Sequence, residues 1–145
     1  MSGDRMDYDT VSADTFGRSL TGLGVNLLTP DVRGLAGMLQ TVFGLHVQRL
    51  SDDFAIVIHG DALFQVHADG TFGAHPLLGL VPESPPRGGG AQFYLFGVDP
   101  DAAALRAEDT GVMVLEAPAD KPHGLREATI LSPEGYAFSP AVALP

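Results

Sequence analysis

One short pattern occurs twice in the chain and limits its fold more than any other feature. In the first copy a strand-like apolar segment ends at Pro30-Asp31, and a helix with apolar residues at 3–4 spacing follows and ends at Gly44. In the second copy an apolar segment ends at Asp99-Pro100, and the helix that follows ends at Gly111. Three strand candidates come after each helix. The sequence therefore predicts an α+β fold of two tandem βαβββ modules.

Turn residues set the limits of the predicted strands. The chain has 18 glycines and 11 prolines, which suits many short strands and turns better than a helical bundle. Alternation and turn signals predict strands over residues 23–29, 46–50, 54–59 and 62–68 in the first module, and over 91–98, 113–116, 125–131 and 136–144 in the second. A loop is predicted over residues 118–124.

The remaining segments complete the predicted organisation. Residues 1–19 form an acidic lead-in without a basic start or an apolar stretch, so we expect no signal peptide but a disordered or loosely docked arm. Residues 20–78 form the first module, 79–90 a Pro/Gly-rich linker, and 91–145 the second module.

Charge and cysteine content exclude several classes of function. The formal net charge is −10 with a single lysine, Lys121, which argues against a nucleic-acid or anionic-membrane surface. No cysteine is present, which excludes disulfides, thiolate metal sites and a cysteine nucleophile. No apolar run approaches the roughly 18 residues of a membrane span. We expect a cytoplasmic protein whose partner is a small molecule or a second copy of itself.

The second module carries a family resemblance in four stretches, Val98-Asp99, Thr110-Gly111-Val112, Gly124-Leu125-Arg126-Glu127 and Leu131-Ser132-Pro133-Glu134-Gly135-Tyr136. Their order resembles the vicinal oxygen chelate superfamily, which includes glyoxalase I, bleomycin-resistance proteins and extradiol dioxygenases. The resemblance covers about residues 20–144. It implies paired βαβββ modules whose curled, mixed sheet encloses a cleft, commonly in a homodimer.

The resemblance also implies where a catalytic divalent metal would bind. Metal-dependent members hold the ion with His, Gln or Glu side chains on the first and last strand of each module. The matched positions in this chain are Gly24, Gln65, Gln92 (or Phe93 in a one-residue shift) and Ser139. Because neither glycine nor serine replaces an anionic ligand, the sequence predicts no metal site of the family type.

Strand alternation predicts which side chains face the cleft. Gln65 and His67 share one face of their strand, Gln92 and Tyr94 share one face of theirs, and the purely apolar faces are expected to pack on helices. The predicted ligand-binding residues are Asn26, Gln65, His67, Gln92, Tyr94, His123 and Arg126. Three of them have an alternative role, since His67 can cap a turn, Tyr94 can fill the core, and Arg126 can fix its loop by pairing with an acid.

Two functions follow from these residues. The first is a binding protein of the glyoxalase/bleomycin-resistance type that holds an organic ligand without the family metal and without an assigned catalytic residue or cofactor. The alternative is a metal-dependent lyase, isomerase or dioxygenase with a shifted ligand set such as Gln65, His67 and Gln92.

Overall fold

The computed structural model describes residues 6–145. Over this range three α-helices and eight β-strands follow one another along the chain. The elements are α1 (Ala13–Ser19), β1 (Asn26–Thr29), α2 (Val32–Phe43), β2 (His46–Gln48), β3 (Phe54–His59), β4 (Ala62–Ala68), β5 (Gln92–Phe96), α3 (Pro100–Asp109), β6 (Met113–Asp120), β7 (Leu125–Leu131) and β8 (Ala137–Ala143). The two βαβββ modules predicted from the repeat are confirmed.

The described residues form two compact units. Unit 1 takes in the described chain up to Gly37 together with Leu45–Gly79, and unit 2 takes in Met38–Gly44 together with Leu80–Pro145. Each unit contains a mixed four-stranded sheet, in the order β1-β4-β3-β2 in unit 1 and β5-β8-β7-β6 in unit 2. In both sheets the first and last strands of the module run parallel and the other pairs antiparallel. Neither sheet is closed.

Both module helices begin and end where the sequence predicts. Asp31 Oδ1 accepts the backbone N–H of Gly34 at 2.9 Å, and Asp99 Oδ1 accepts that of Asp101 at 3.0 Å. These bonds satisfy N–H groups that have no partner inside the helix. After the helices, Gly44 has a φ of +70° and Gly111 a φ of +75°, a conformation that glycine adopts without strain.

Five of the eight predicted strands have different limits in the structure. The first strand begins only at Asn26, and β2 ends at Gln48. The predicted loop over residues 118–124 is wrong in its first half, because β6 continues to Asp120 through Pro118. β6 is an edge strand with irregular register between Glu116 and Ala119, and such positions tolerate proline.

The described part of the lead-in belongs to unit 1 and packs on its sheet, so the expectation of a disordered or loosely docked arm is wrong for it; residues 1–5 lie outside the described range. Tyr8 and Phe16 are buried against Ile56 and Ile58 of β3. The rings of Tyr8 and Phe16 meet edge to face at 5.3 Å. The stretch contains several acidic side chains, but the burial of its aromatic residues is what holds it against the sheet.

Across residues 6–145, no helix is both long enough and apolar enough to cross a membrane.

Candidate ligand site

One face of the unit 2 sheet gathers polar side chains from three neighbouring strands. Because side chains alternate along a strand, Gln92 and Tyr94 of β5 lie on one face and Phe93 on the other. Phe93 contacts the buried ring of Phe138 at 5.5 Å, which makes its face the core side. This alternation supports Gln92 rather than Phe93 as the residue on the polar face.

A buried carboxylate, that of Glu127 on β7, lies at the centre of this face. The residue is only 3% exposed. Its Oε1 accepts a hydrogen bond from His123 Nε2 at 2.6 Å, and its Oε2 accepts one from the Tyr94 hydroxyl at 3.1 Å. Burial and the hydrogen bond to Glu127 raise the pKa of Tyr94, so its hydroxyl stays protonated at neutral pH and donates.

A chain of neutral hydrogen bonds continues from this carboxylate site along the sheet. Gln92 Nε2 donates to Ser139 Oγ at 2.9 Å, and Ser139 Oγ lies 3.0 Å from Thr129 Oγ1. Ser139 is fully buried, whereas Gln92 is exposed. We call Gln92, Tyr94, His123, Glu127, Thr129 and Ser139 the Glu127 cluster. Its buried members are fixed by their partners, and Gln92 and His123 connect them to solvent.

An aromatic surface adjoins the Glu127 cluster. The rings of Tyr94 and Phe96 are stacked in parallel planes with centroids 5.1 Å apart. Phe96 is 59% exposed, so part of its apolar ring faces solvent beside the polar groups. Aromatic pairs of this kind add about 0.5–1.5 kcal/mol beyond the area that they bury.

The charges around the cluster favour a positive or donor-bearing ligand. Lys121 Nζ lies 2.7 Å from the carboxylate of Glu116, and this ion pair raises the pKa of Lys121. Two carboxylates, Glu116 and Glu127, thus face one ammonium group. The formal charges of Lys121, Glu116 and Glu127 therefore sum to −1.

Arg126 is not brought to the cluster. Its guanidinium binds both carboxylate oxygens of Asp101 at 2.8 Å and Asp120 at 2.9 Å. These pairs raise the pKa of Arg126 and lower that of Asp101. The observed role is therefore the acid-paired alternative, in which Arg126 connects β7 to α3 and to the end of β6.

Three predicted site residues lie in unit 1. Asn26 Oδ1 and His67 Nδ1 are 2.5 Å apart, and the His67 ring lies edge to face with Phe54 at 4.8 Å and Phe72 at 5.3 Å. Burial lowers the pKa of His67, which keeps the ring neutral at pH 7. Gln65 lies two residues earlier on β4 and lines a separate pocket of unit 1.

The matched metal positions do not fit a divalent ion of the family type. Gly24 supplies no side chain, and Ser139 Oγ is already engaged by Gln92 and Thr129. Gln65 and Gln92 add only neutral amides, whereas hard cations favour carboxylates. Over the described part of the chain, no three His, Asp or Glu side chains are grouped closely enough to hold a metal ion.

Glu127, the buried residue at the centre of the cluster, is absent from the residues that the sequence predicts as ligand-binding. The signal for it is alternation along β7. If Arg126 pairs with acids on one face, the next residue points to the other face. A buried glutamate there needs hydrogen-bond partners, and Tyr94 and His123 supply them.

Comparisons with solved structures identify the fold. A glyoxalase/bleomycin resistance protein/dioxygenase family enzyme from Burkholderia phytofirmans aligns with a TM-score of 0.68 at 21% identity, over 83% of this chain and 97% of that one. A glyoxalase/bleomycin resistance protein/dioxygenase from Nocardioides aligns with a TM-score of 0.63 at 17% identity, over 90% and 91%. The chain has the vicinal oxygen chelate fold. This is the fold that the sequence resemblance implies.

A third structure with the vicinal oxygen chelate fold is a lactoylglutathione lyase from Agrobacterium tumefaciens, which aligns with a TM-score of 0.59 at 18% identity, over 84% of this chain and 92% of that one. No protein-family model matches the chain, and no curated protein matches it in sequence. The vicinal oxygen chelate fold supports different chemistries, so the function has to be argued from the side chains of this chain.

Proposed function

We propose that the chain binds a small planar organic molecule, cationic or rich in hydrogen-bond donors, on the face of unit 2 that carries the Glu127 cluster. The observation that carries the proposal is the buried Glu127 carboxylate held between Tyr94 and His123 beside an exposed aromatic ring. A buried charge is costly to maintain, and a ligand that interacts with it gains more than it would in water.

Each part of the cluster has a separate role in this proposal. The exposed ring of Phe96 stacks on the ligand plane. Gln92 and His123 are the exposed polar groups of the cluster, and they exchange water for ligand hydrogen bonds. Glu127 supplies the negative potential that attracts positive charge and disfavours anions.

Binding of proflavine, a planar cationic dye, tests this function. Fluorescence titration of the wild-type chain is expected to be saturable, and the anionic dye 1-anilinonaphthalene-8-sulfonate is expected to bind at least tenfold more weakly. Replacing Glu127 by glutamine keeps the shape and removes the charge. Because hydrogen bonds to charged groups contribute about 1.5–3 kcal/mol, proflavine affinity is expected to fall roughly tenfold or more.

A matched variant controls for net charge. Glu108→Gln removes the same charge at an exposed position of α3. It is expected to leave proflavine affinity within twofold of the wild type, since exposed charges are screened by salt. Equal losses of proflavine affinity in Glu127→Gln and Glu108→Gln, or no saturable proflavine binding by the wild type, would contradict the proposal.

The aromatic surface is tested in the same way. Phe96→Ala is expected to weaken proflavine several-fold, because a stacking contact contributes about 0.5–1.5 kcal/mol. Leu105→Ala truncates a similarly exposed apolar side chain of α3 and is the control. Homodimer formation and a cytoplasmic location stay predictions, the first of which light scattering tests directly.

A further inference from the structure

Arg49, which follows directly after β2, differs from three other arginines of the chain in its partners. Arg18, Arg33 and Arg126 each bind the carboxylate of an aspartate. Arg49 instead binds backbone carbonyl oxygens, and in the part of the chain that the structure describes its guanidinium forms no ion pair. Its positive charge is therefore available to a ligand, in a chain that carries 18 acidic residues.

The hydrogen bonds of Arg49 leave one edge of its guanidinium available. Nη1 donates to the backbone carbonyls of Tyr8 and Val11, which belong to the N-terminal segment, residues 6–19. Nη1 has two protons, so these two bonds use both. Within residues 6–145, Nε and Nη2 make no hydrogen bond. Together they form the planar pair of donors that binds a carboxylate bidentately.

The backbone of Arg49 is held in an uncommon conformation. Its φ is +53°, in the left-handed region that residues other than glycine adopt rarely. Its backbone N–H donates to Asp9 Oδ1, and the backbone N–H of Tyr8 donates to Gln48 Oε1 at 3.0 Å. These contacts fix the N-terminal segment against the end of β2. Strained positions that the surrounding structure supports occur preferentially at ligand sites.

An open groove of about 600 Å³ lies beside Arg49, between the N-terminal segment and the turn that joins β2 to β3. This volume is within the roughly 300–1,000 Å³ usual for small-molecule sites. The lining residues are Asp9, Thr10, Val11, Arg49, Leu50, Ser51 and Phe54. They include none of the four matched metal positions and no member of the Glu127 cluster.

We propose that this groove binds a free amino acid with an apolar side chain. The Nε and Nη2 edge of Arg49 takes the ligand carboxylate. Asp9 Oδ1 accepts the Arg49 N–H, and the second oxygen of Asp9 accepts from the ligand ammonium group. Val11, Leu50 and Phe54 provide apolar contact for the ligand side chain.

The charges of the groove favour a zwitterion over a ligand of single charge. Asp9 and Arg49 are the two charged residues of its lining, and their formal charges sum to zero. A simple carboxylic acid leaves Asp9 without a positive partner, and a simple amine leaves Arg49 without a negative one. The formal net charge of −10 on the whole chain disfavours a simple anion further.

L-Phenylalanine and two analogues that each lack one charged group test this site. 3-Phenylpropanoate lacks the ammonium group, and 2-phenylethylamine lacks the carboxylate. In a ¹⁵N-labelled wild-type chain, L-phenylalanine is expected to shift the amide signals of Leu50, Ser51 and Phe54 saturably, with a Kd on the order of 1 mM. Each analogue is expected to bind at least fivefold more weakly. Absence of saturable shifts at these amides, or equal binding of either analogue, would overturn the proposal.

Two substitutions assign the two charges. Asp9→Asn keeps an oxygen for the Arg49 N–H and removes the negative charge, so it is expected to weaken L-phenylalanine at least fivefold and to strengthen 3-phenylpropanoate. Arg49→Lys keeps the positive charge and removes the pair of planar donors, so it is expected to weaken L-phenylalanine at least fivefold. Asp109→Asn, at an exposed position of α3, is the control for net charge and is expected to change neither affinity.

The opposite changes expected in Asp9→Asn separate a binding role from a structural one, because loss of the N-terminal segment would weaken both ligands. Equal weakening of L-phenylalanine and 3-phenylpropanoate in Asp9→Asn, or unchanged L-phenylalanine affinity in Arg49→Lys, would contradict the assignment. The comparison of the three ligands on the wild-type chain does not depend on how either variant folds. Proflavine binding is read on different residues, so the two proposals fail or stand separately.

Discussion

Arg126 and Glu127 are adjacent in sequence, yet their side chains interact with groups on opposite faces of β7. Arg126 binds the carboxylate of Asp101 on α3 at 2.8 Å, and Glu127 binds His123 at 2.6 Å on the face that carries Tyr94. Alternation along a strand produces this separation. As a result, one residue stabilises the unit and the next is available for binding.

This separation predicts opposite effects of two neighbouring substitutions. Arg126→Gln removes the pairs with Asp101 and Asp120, so it is expected to lower the Tm while leaving proflavine affinity unchanged. Glu127→Gln is expected to weaken proflavine strongly. Thermal unfolding and dye titration on both variants check this, and a clear loss of dye binding in Arg126→Gln would be inconsistent with its placement on the α3 side.

Two glycines with similar backbone angles are predicted to tolerate alanine very differently. Gly135 has a φ of +93°, and a Cβ there would lie 2.3 Å from Pro86 Cα. Gly97 has a φ of +91°, but a Cβ there would meet nothing within 4 Å. We expect Gly97→Ala to cost about 1 kcal/mol, from backbone conformation alone, and Gly135→Ala at least about 2 kcal/mol more. Urea unfolding of both variants measures the difference, and equal losses would contradict the close approach at Gly135.

The buried ring of His67 predicts a loss of stability in mild acid. Its pKa is lowered in the folded chain, so below the ordinary value of 6.5 the unfolded chain binds a proton that the folded chain resists. Stability is therefore fully present above pH 6.5 and falls as the pH decreases below it. In His67→Gln this contribution is removed, and the Tm is expected to depend less on pH between about 7 and 5. Parallel Tm profiles for the two chains would rule out this role for His67.

Divalent ions are predicted to leave the fold unaffected. Since Gly24, Gln65, Gln92 and Ser139 provide no anionic ligand, we expect EDTA to leave the Tm unchanged and Zn²⁺, Ni²⁺, Mn²⁺ and Fe²⁺ not to raise it. Elemental analysis after purification without a histidine tag gives the complementary measurement. Stoichiometric metal that disappears in Gln65→Ala would instead support the metal-dependent alternative.

Local signals in the sequence predict most of the elements. Glycine and aspartate turns give the limits of β3, β4 and β7 to the residue, because Gly60 and Gly124 adopt positive φ where the chain reverses or enters a strand. Helix α2 follows from its N-cap at Asp31 in the same way. β6 is longer than predicted, since proline on an edge strand does not interrupt pairing as it would in a central one.

Non-local contacts account for what the sequence does not predict. The acidic lead-in has no periodic apolar face, and the burial of Tyr8 depends on the distant residues Gln48 and Ile56. Glu127 can be recognised as a candidate site residue only from its contact with Tyr94, which lies 33 residues earlier in the chain. The sequence predicts two alternative roles for Arg126, ligand binding and pairing with an acid. The structure shows the pairing with an acid, and the strand register decides between the two roles.

Mapping the residues that proflavine contacts is the most direct test of the proposed ligand site. A titration followed by amide chemical shifts is expected to move the signals of residues 92–96 and 123–127 together, with a single Kd that matches the fluorescence value. Glu127→Gln is expected to reduce these shifts at equal dye concentration. Shifts confined to α3 and the outer strand β6, or shifts that never saturate, would contradict a ligand site built on the buried carboxylate of Glu127.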